Sequence, residues 1–381
     1  MEGKIMKKKK TIGLIVIVSL LTLIVLGLII YFINRTPIVL YEYYINDNKV
    51  EVPGKHLVSY DCNNDVEISY DEKELTYTTN NLKKDSTCKL FFEEDMYDYI
   101  NILGYSNDSI KDSNKITRDN NGNPYYYGDT AKNNIYFNCS DYRDKNTCEV
   151  WKIITTEEDE DNKYIKILKS SNLEVLDKSS NEVLSKFSWN GVKEEEGLSF
   201  ENSSLYNLLS TGYYNSHNNY QYIDKDYNTH YLDFTNYGIK NDETRKMIIH
   251  KDYKVSKDSN IDMNAQDFSR NEYTGLSLNL LVGLPNIRDY VLSMGSSCMD
   301  KNILNFNECD SNSYMSINNG MWLMNVSSLD NTTVYRVLES KSINPVYPTI
   351  EYEVYPVLYI DGNLRIVSGD GSQTSPYMIT Y

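Results

Sequence analysis

Alanine is almost missing from this 381-residue chain, standing only at Ala131 and Ala265, while tyrosine occurs 35 times and Asn, Lys and Ile are abundant. That bias is the mark of an AT-rich genome, so tyrosine richness by itself is no sign of an adhesive surface. Other absences exclude chemistry. There is no HExxH, no G-x-S-x-G elbow and no glycine-rich phosphate loop, so zinc-peptidase, serine-hydrolase and nucleotide-binding readings lose their usual signals. No CxxC occurs, and no Cys/His spacing fits a zinc site. The single S-x-x-K, Ser86-Thr87-Cys88-Lys89, encloses a cysteine and has no S-D-N or K-T-G partner. The 54 acids make some glycosidase-like carboxylate pair inevitable, so that pattern discriminates nothing.

A second long apolar run is also lacking. The first covers about Ile12 to Ile33 without a charge, after Lys7 to Lys10. At 1.5 Å per residue it is long enough to span a bilayer as one helix. We expect a cytoplasmic tail over 1–10 and a transmembrane helix over 11–33. Basic residues stay inside, which puts the remainder of the chain outside the cell. The run exceeds the ordinary apolar core of a cleaved signal, about 7–15 residues, and no A-x-A-like site follows it. No Gly-aromatic prepilin site or lipobox cysteine is present either.

The net charge is −16; the first 35 residues carry +5, which leaves −21 for the rest. Such a surface repels nucleic acid, and the expected partners are the membrane and an extracellular protein or glycan. The six cysteines fall in three close pairs, Cys62/Cys88, Cys139/Cys148 and Cys298/Cys309. Six cysteines allow fifteen connectivities; an extracellular address makes disulfides the expectation and the clustering favours the local bridges.

Along the chain, Ile38–Tyr44, Val66–Tyr70, Leu75–Tyr77 and Leu90-Phe91-Phe92 predict a small β module over 36–96. Residues 97–130 read as a polar linker, with Asp119 to Asn123 a turn rather than a calcium loop, since a terminal bidentate Glu is missing. An α+β domain follows over 131–381. Strands are predicted at Ile135–Phe137, Val150–Ile154 and Tyr164–Leu168, with the acidic turn Glu157 to Asp161 between the last two. Further strands are predicted at Gly320–Met324, Thr333–Val337, Val354–Ile360 and Leu364–Val367. A helix starts at an N-cap Ser203 and stops at Gly212, and a second covers 242–250. The Tyr/Asn/His-rich segment 213–237 reads as a loop and a candidate binding surface. Trp151 and Trp322 read as core. Trp189, among polar neighbours, reads as an exposed stacking aromatic, and the candidate ligand contacts are Trp189, Tyr213, Tyr214, His217 and Tyr220. His217 and His230 share that loop; scattered surface imidazoles are the simpler reading, so no metal ligand, cofactor site or catalytic residue is assigned.

The order Tyr136-Phe137-Asn138-Cys139, Cys148-Glu149-Val150-Trp151-Lys152-Ile153-Ile154, Ser188-Trp189-Asn190, Trp322-Leu323 and Pro356-Val357-Leu358-Tyr359 through Ser368-Gly369-Asp370-Gly371-Ser372 to Pro376-Tyr377 resembles a recurrent extracellular module of low-GC Gram-positive gut bacteria. The resemblance covers about 250 residues. It departs at Tyr355, where that module usually has Arg. The late strands look like a C-type-lectin-like arrangement, as in formylglycine-generating-type domains, which implies a loop-rich α+β domain. It does not imply sugar binding, since the Glu-Pro-Asn and Gln-Pro-Asp triplets that calcium-dependent lectins use are missing, and it does not imply oxidase activity. The reading is a membrane-anchored, surface-displayed recognition or adhesion protein and not an enzyme. The alternatives are a cell-envelope hydrolase using acidic residues, and a structural spacer.

Overall fold

The structure, a computed structural model, describes residues 24–25, 36–46, 48–50, 53–71, 76–160, 162–191, 198–255, 262–315, 317–327 and 332–381. The expected tail 1–10 and membrane helix 11–33 lie outside the described residues, apart from Ile24 and Val25. Among the described residues no helix is long and apolar enough to cross a membrane. The chain is mixed α+β, with many small sheets and short helices.

Two compact units divide it. The smaller holds residues 1–42 and 59–90; the larger holds 43–58 and 91–381. The division falls inside the strands Val39–Ile45, Leu57–Cys62 and Ser86–Phe92, not at a polar linker. In the smaller unit, Glu67–Asp71 and Thr76–Asn80 form an antiparallel hairpin with Tyr70 opposite Tyr77. Those two rings stack at 5.6 Å, and Tyr41 lies 4.7 Å from Tyr77. Among the described residues few side chains are buried there, chiefly Val66, Ile68, Cys88 and Leu90, so the Cys62–Cys88 bond carries much of the constraint.

The larger unit is built on an antiparallel sheet in the order Ile248–Ile249, Val357–Asp361, Asn162–Lys169, Glu149–Asp159, Pro124–Tyr126, Ile116–Arg118. The strand Asn134–Phe137 pairs with Glu149–Asp159 as well. The middle of Glu149–Asp159 is buried at successive positions, from Trp151 through Thr156, so both faces of this strand are covered. Residues 97–130, expected as a linker, instead belong to this unit. They hold the helices Met96–Tyr105 and Asp108–Asn114 and two strands of the sheet. The polar composition misled because both helices are short and one-sided: Ile100 and Leu103 are buried, and Asp95 and Asn107 cap the starts.

Ser203 is the N-cap expected, its hydroxyl accepting the Tyr206 N–H at 3.0 Å. Gly212 does not stop the helix. Wide π turns carry it through Leu208–Tyr213, with Tyr214 N–H donating to Leu209 O at 2.9 Å, five residues back. Gly212 is there for close approach, since a Cβ would sit 2.6 Å from the Phe234 ring. The segment 242–250 is helical only over Asp242–Met247, before Ile248–Ile249 joins the sheet edge. The late strands are Met321–Val326, Val334–Val337, Val357–Asp361 and Arg365–Ser368.

Candidate functional site

The segment 213–237, expected as a loop, is largely a hairpin, Tyr220–Ile223 against Thr229–Asp233. It extends a small sheet with Val175–Asp177 and Glu182–Leu184. Period-two burial places Tyr220, Tyr222 and Leu232 inward. Tyr213 and Trp189 are fully buried as well. Three of the five expected contact residues, Trp189, Tyr213 and Tyr220, are therefore core. Trp189 donates from Nε1 to Leu323 O at 3.1 Å, and Trp322 donates back to Phe187 O at 2.7 Å. The two indoles thus lock the chain around 187–189 to the strand at 321–326, and polar neighbours in sequence concealed this because an indole N–H needs a buried acceptor. Tyr214 is half-buried and His217 exposed, its Nδ1 accepting the Asn219 N–H at 3.1 Å.

His230 is not a loose surface imidazole. Nδ1 lies 2.8 Å from Asp177 Oδ2, and Nε2 lies 3.2 Å from Asp224 Oδ2. Burial opposes charging the ring, but the two carboxylates outweigh it and raise its pKa above the ordinary histidine value. The same imidazolium pulls Asp177 below the ordinary aspartate range, against the effect of burial. The acids approach the ring from opposite sides, so the arrangement is a clamp and not a convergent ligand set.

His56, Glu94 and Asp98 do converge, with ligand atoms within 4.8 Å of one another. Their oxygens are partly engaged: Glu94 Oε1 accepts the backbone N–H groups of Lys55 and His56, and Asp98 Oδ2 takes Lys163 Nζ at 2.6 Å. Lys163 also holds Asp95, so cationic nitrogen already occupies this acidic corner.

A concave site with many converging polar groups lies elsewhere in the larger unit. A cleft of about 620 Å³ opens between Thr117–Asn120 with Tyr125 on one side and Asn264, Gln266, Ser269 and 296–300 on the other. Neutral amides and hydroxyls dominate the lining, with Leu292 and Met299 supplying apolar surface. One wall is the end of the strand Ile116–Arg118 and its turn. Asp119 Oδ1 accepts the N–H of Asn121 at 2.8 Å and of Asn123 at 2.9 Å, which makes the turn at 119–123 self-supporting. Asp119 Oδ2 is held by Arg288, both side chains being nearly inaccessible. Burial would lower the Arg288 pKa, but Asp119, Glu157 and Asp289 more than offset it.

The other wall starts at the helix Ala265–Tyr273, capped by Asn264, whose Oδ1 accepts the Asp267 N–H at 2.8 Å. Ala265 and Gln266 donate backbone N–H groups to Lys301 O and Met299 O. Cys298 in this wall is bonded to Cys309, and Lys341 Nζ caps the carbonyls of Cys309 and Ser311 at 2.9 and 2.8 Å. Behind the cleft, Glu272 is fully buried, its carboxyl pushed up to about 7 by desolvation, against the pull of Asn325 and the Arg288 N–H. Asp289 completes a capping box with Asn286 and takes Lys166 Nζ at 2.7 and 2.9 Å.

All three expected cysteine pairs are disulfides: Cys62–Cys88, Cys139–Cys148 and Cys298–Cys309. The sequence reading missed the cleft residues entirely. The one local signal was the turn at 119–123, read for its backbone and not for what it lines. No known protein family matches the chain, and no curated protein or solved structure does either.

Proposed function

We propose that this chain is a membrane-anchored, single-pass, N-in surface protein whose larger unit is a C-type-lectin-like recognition domain, with the 117–125/264–300 cleft as its ligand site. Its ligand class is a neutral polyhydroxyl compound, a glycan, and it is not an enzyme. The observation that carries the reading is the cleft's lining. Six neutral polar side chains, Thr117, Asn120, Gln266, Ser269, Ser296 and Ser297, supply donors and acceptors beside small apolar faces. Of the three charged lining residues, Asp119 is already neutralised by Arg288 and Arg118 is hydrogen-bonded to the carbonyls of Gly122 and Asn101, which leaves Asp300. Hydrolysis by a carboxylate pair is disfavoured: of the two lining acids, Asp119 and Asp300, the first has an oxygen committed to an arginine. The walls are pinned by a disulfide, a buried ion pair and backbone hydrogen bonds, so the site is preorganised. Three disulfides fit an extracellular address.

The test is a glycan array probed with the full-length chain and with the double variant Asn120→Ala, Gln266→Ala. Retention of one glycan class by the parent and its loss by the variant is the expected result. Binding that survives the double change puts the ligand site elsewhere.

A further inference from the structure

Lys152 lies in the strand Glu149–Asp159, directly opposite Asn134 in the pairing with Asn134–Phe137, so the two side chains project from the same face of adjacent strands. Lys152 is only 9 % exposed and Asn134 only 1 %. The Lys152 Nζ donates to Asn134 Oδ1 at 2.5 Å, and that oxygen is its one hydrogen-bond partner among the described residues. The two other buried lysines of this sheet each have a carboxylate, Lys166 with Asp289 and Lys169 with Glu149 at 3.5 Å. Lys152 has none among the described residues, and burial pushes its pKa below the ordinary lysine value. An unpaired ammonium is costly in such a place, and the neutral amine it gives way to is a nucleophile. With a C=O bond of about 1.23 Å, the 2.5 Å contact puts Nζ no more than about 3.7 Å from the amide carbon Cγ. That approaches the separation of a near-attack pair. The amide itself is fixed, because Asn134 Nδ2 donates to Gly371 O at 2.8 Å.

We propose that Lys152 and Asn134 are a covalent cross-linking pair, joined in the mature protein by an isopeptide bond. The Nζ lone pair adds to Cγ, the Cγ–Nδ2 bond breaks, and one Nζ proton leaves with the departing nitrogen as ammonia. A secondary amide and NH₃ are the products; nothing is oxidised or reduced, and no co-reactant enters. No carboxylate assists the proton transfer, so the bond forms by slow maturation after folding. The product removes a buried, unpaired amine from the sheet. It also closes the hairpin 134–152 at its open end, where Cys139–Cys148 already closes the far end. Unlike that disulfide, an amide survives reducing conditions.

The experiment is intact-mass measurement of the full-length chain after complete disulfide reduction, immediately on purification and after prolonged incubation at mildly alkaline pH. The expected result is a mass short by one ammonia, with proteolytic fragments recovered as a branched pair joined through Lys152 and Asn134. Lys152→Arg should restore the full mass. A wild-type chain that keeps its full mass after incubation, with Lys152 open to acetylation in the unfolded state, overturns the proposal. So does a deficit that persists in Lys152→Arg, because the ammonia would then come from elsewhere. Both readings use the wild-type chain as a reference, so an unstable variant leaves the first of them intact.

Discussion

The segment 213–237 and the walls of the 117–125/264–300 cleft invert each other. The first is rich in tyrosine and looks like a contact surface in sequence, yet Tyr213, Tyr220 and Tyr222 point into the larger unit. The second is a run of Asn, Gln, Ser and Asp that looks like filler, yet it lines the concave site. In a chain with so little alanine, tyrosine and tryptophan take over the filling of the interior. Trp151, Trp189 and Trp322 are all fully buried. Their large apolar bodies gain most from leaving water, provided each N–H or O–H has an acceptor within reach.

The comparison breaks first at Trp189. If it is core, Trp189→Ala should cost about 3–5 kcal/mol, as for other buried aromatic truncations, read from denaturant unfolding. A change of only a few tenths would return Trp189 to the surface. Second comes Cys298→Ser, which opens the disulfide behind the cleft wall. A loop this short should be worth about 2–3 kcal/mol on the chain-entropy account. Glycan binding should fall with it while the hairpin at 220–233 stays intact by hydrogen exchange.

A third test separates the two regions by pH. The folded pKa of His230 is raised by Asp177 and Asp224, so its contribution is complete below the unfolded histidine value and is lost as pH rises through the folded one. Melting temperature should therefore decline between about pH 6 and about pH 8. Glu272, whose carboxyl is pushed up to about 7, adds an earlier decline from beneath the cleft, beginning at the ordinary glutamate value and ending near pH 7. The difference between wild type and His230→Gln isolates the hairpin's share, and identical pH profiles would show that the clamp contributes nothing. The smallest effect belongs to His217→Ala, which should stay within about 0.5 kcal/mol, as exposed substitutions do. A larger loss would mean that this imidazole has a structural role beyond its contact with Asn219.

What the sequence made legible follows from range. Strands with strong apolar runs, such as Val150–Ile154 and Val357–Ile360, were visible because burial on both faces leaves a continuous pattern. The disulfides were visible because each pair is close in sequence. The N-cap at Ser203 and the turn at 119–123 were visible because both are local chemistry. The cleft was not, since Asp119 meets Arg288 across 169 residues of chain. The helix Ile287–Ser293 was also missed: all seven of its residues are buried, so it carries no amphipathic stripe to recognise. The indole exchange between Trp189 and Trp322 is equally non-local, spanning more than 130 residues.

The wide turns at Leu208–Tyr213 bear on how this chain tolerates insertion and deletion. A π turn holds one residue more than the α turn it replaces. Removing a residue there would restore ordinary helix, but it would swing the side chains on one side of the cut by about 100° relative to those on the other. Gly212 would no longer face Phe234, and a residue with a Cβ would be forced toward that ring. Tyr213 would leave the interior and Tyr214 would be driven into its place. A surface loop of similar composition would absorb the same deletion with little consequence. The tract Leu208-Leu209-Ser210-Thr211-Gly212-Tyr213 is thus fixed in length as well as in content.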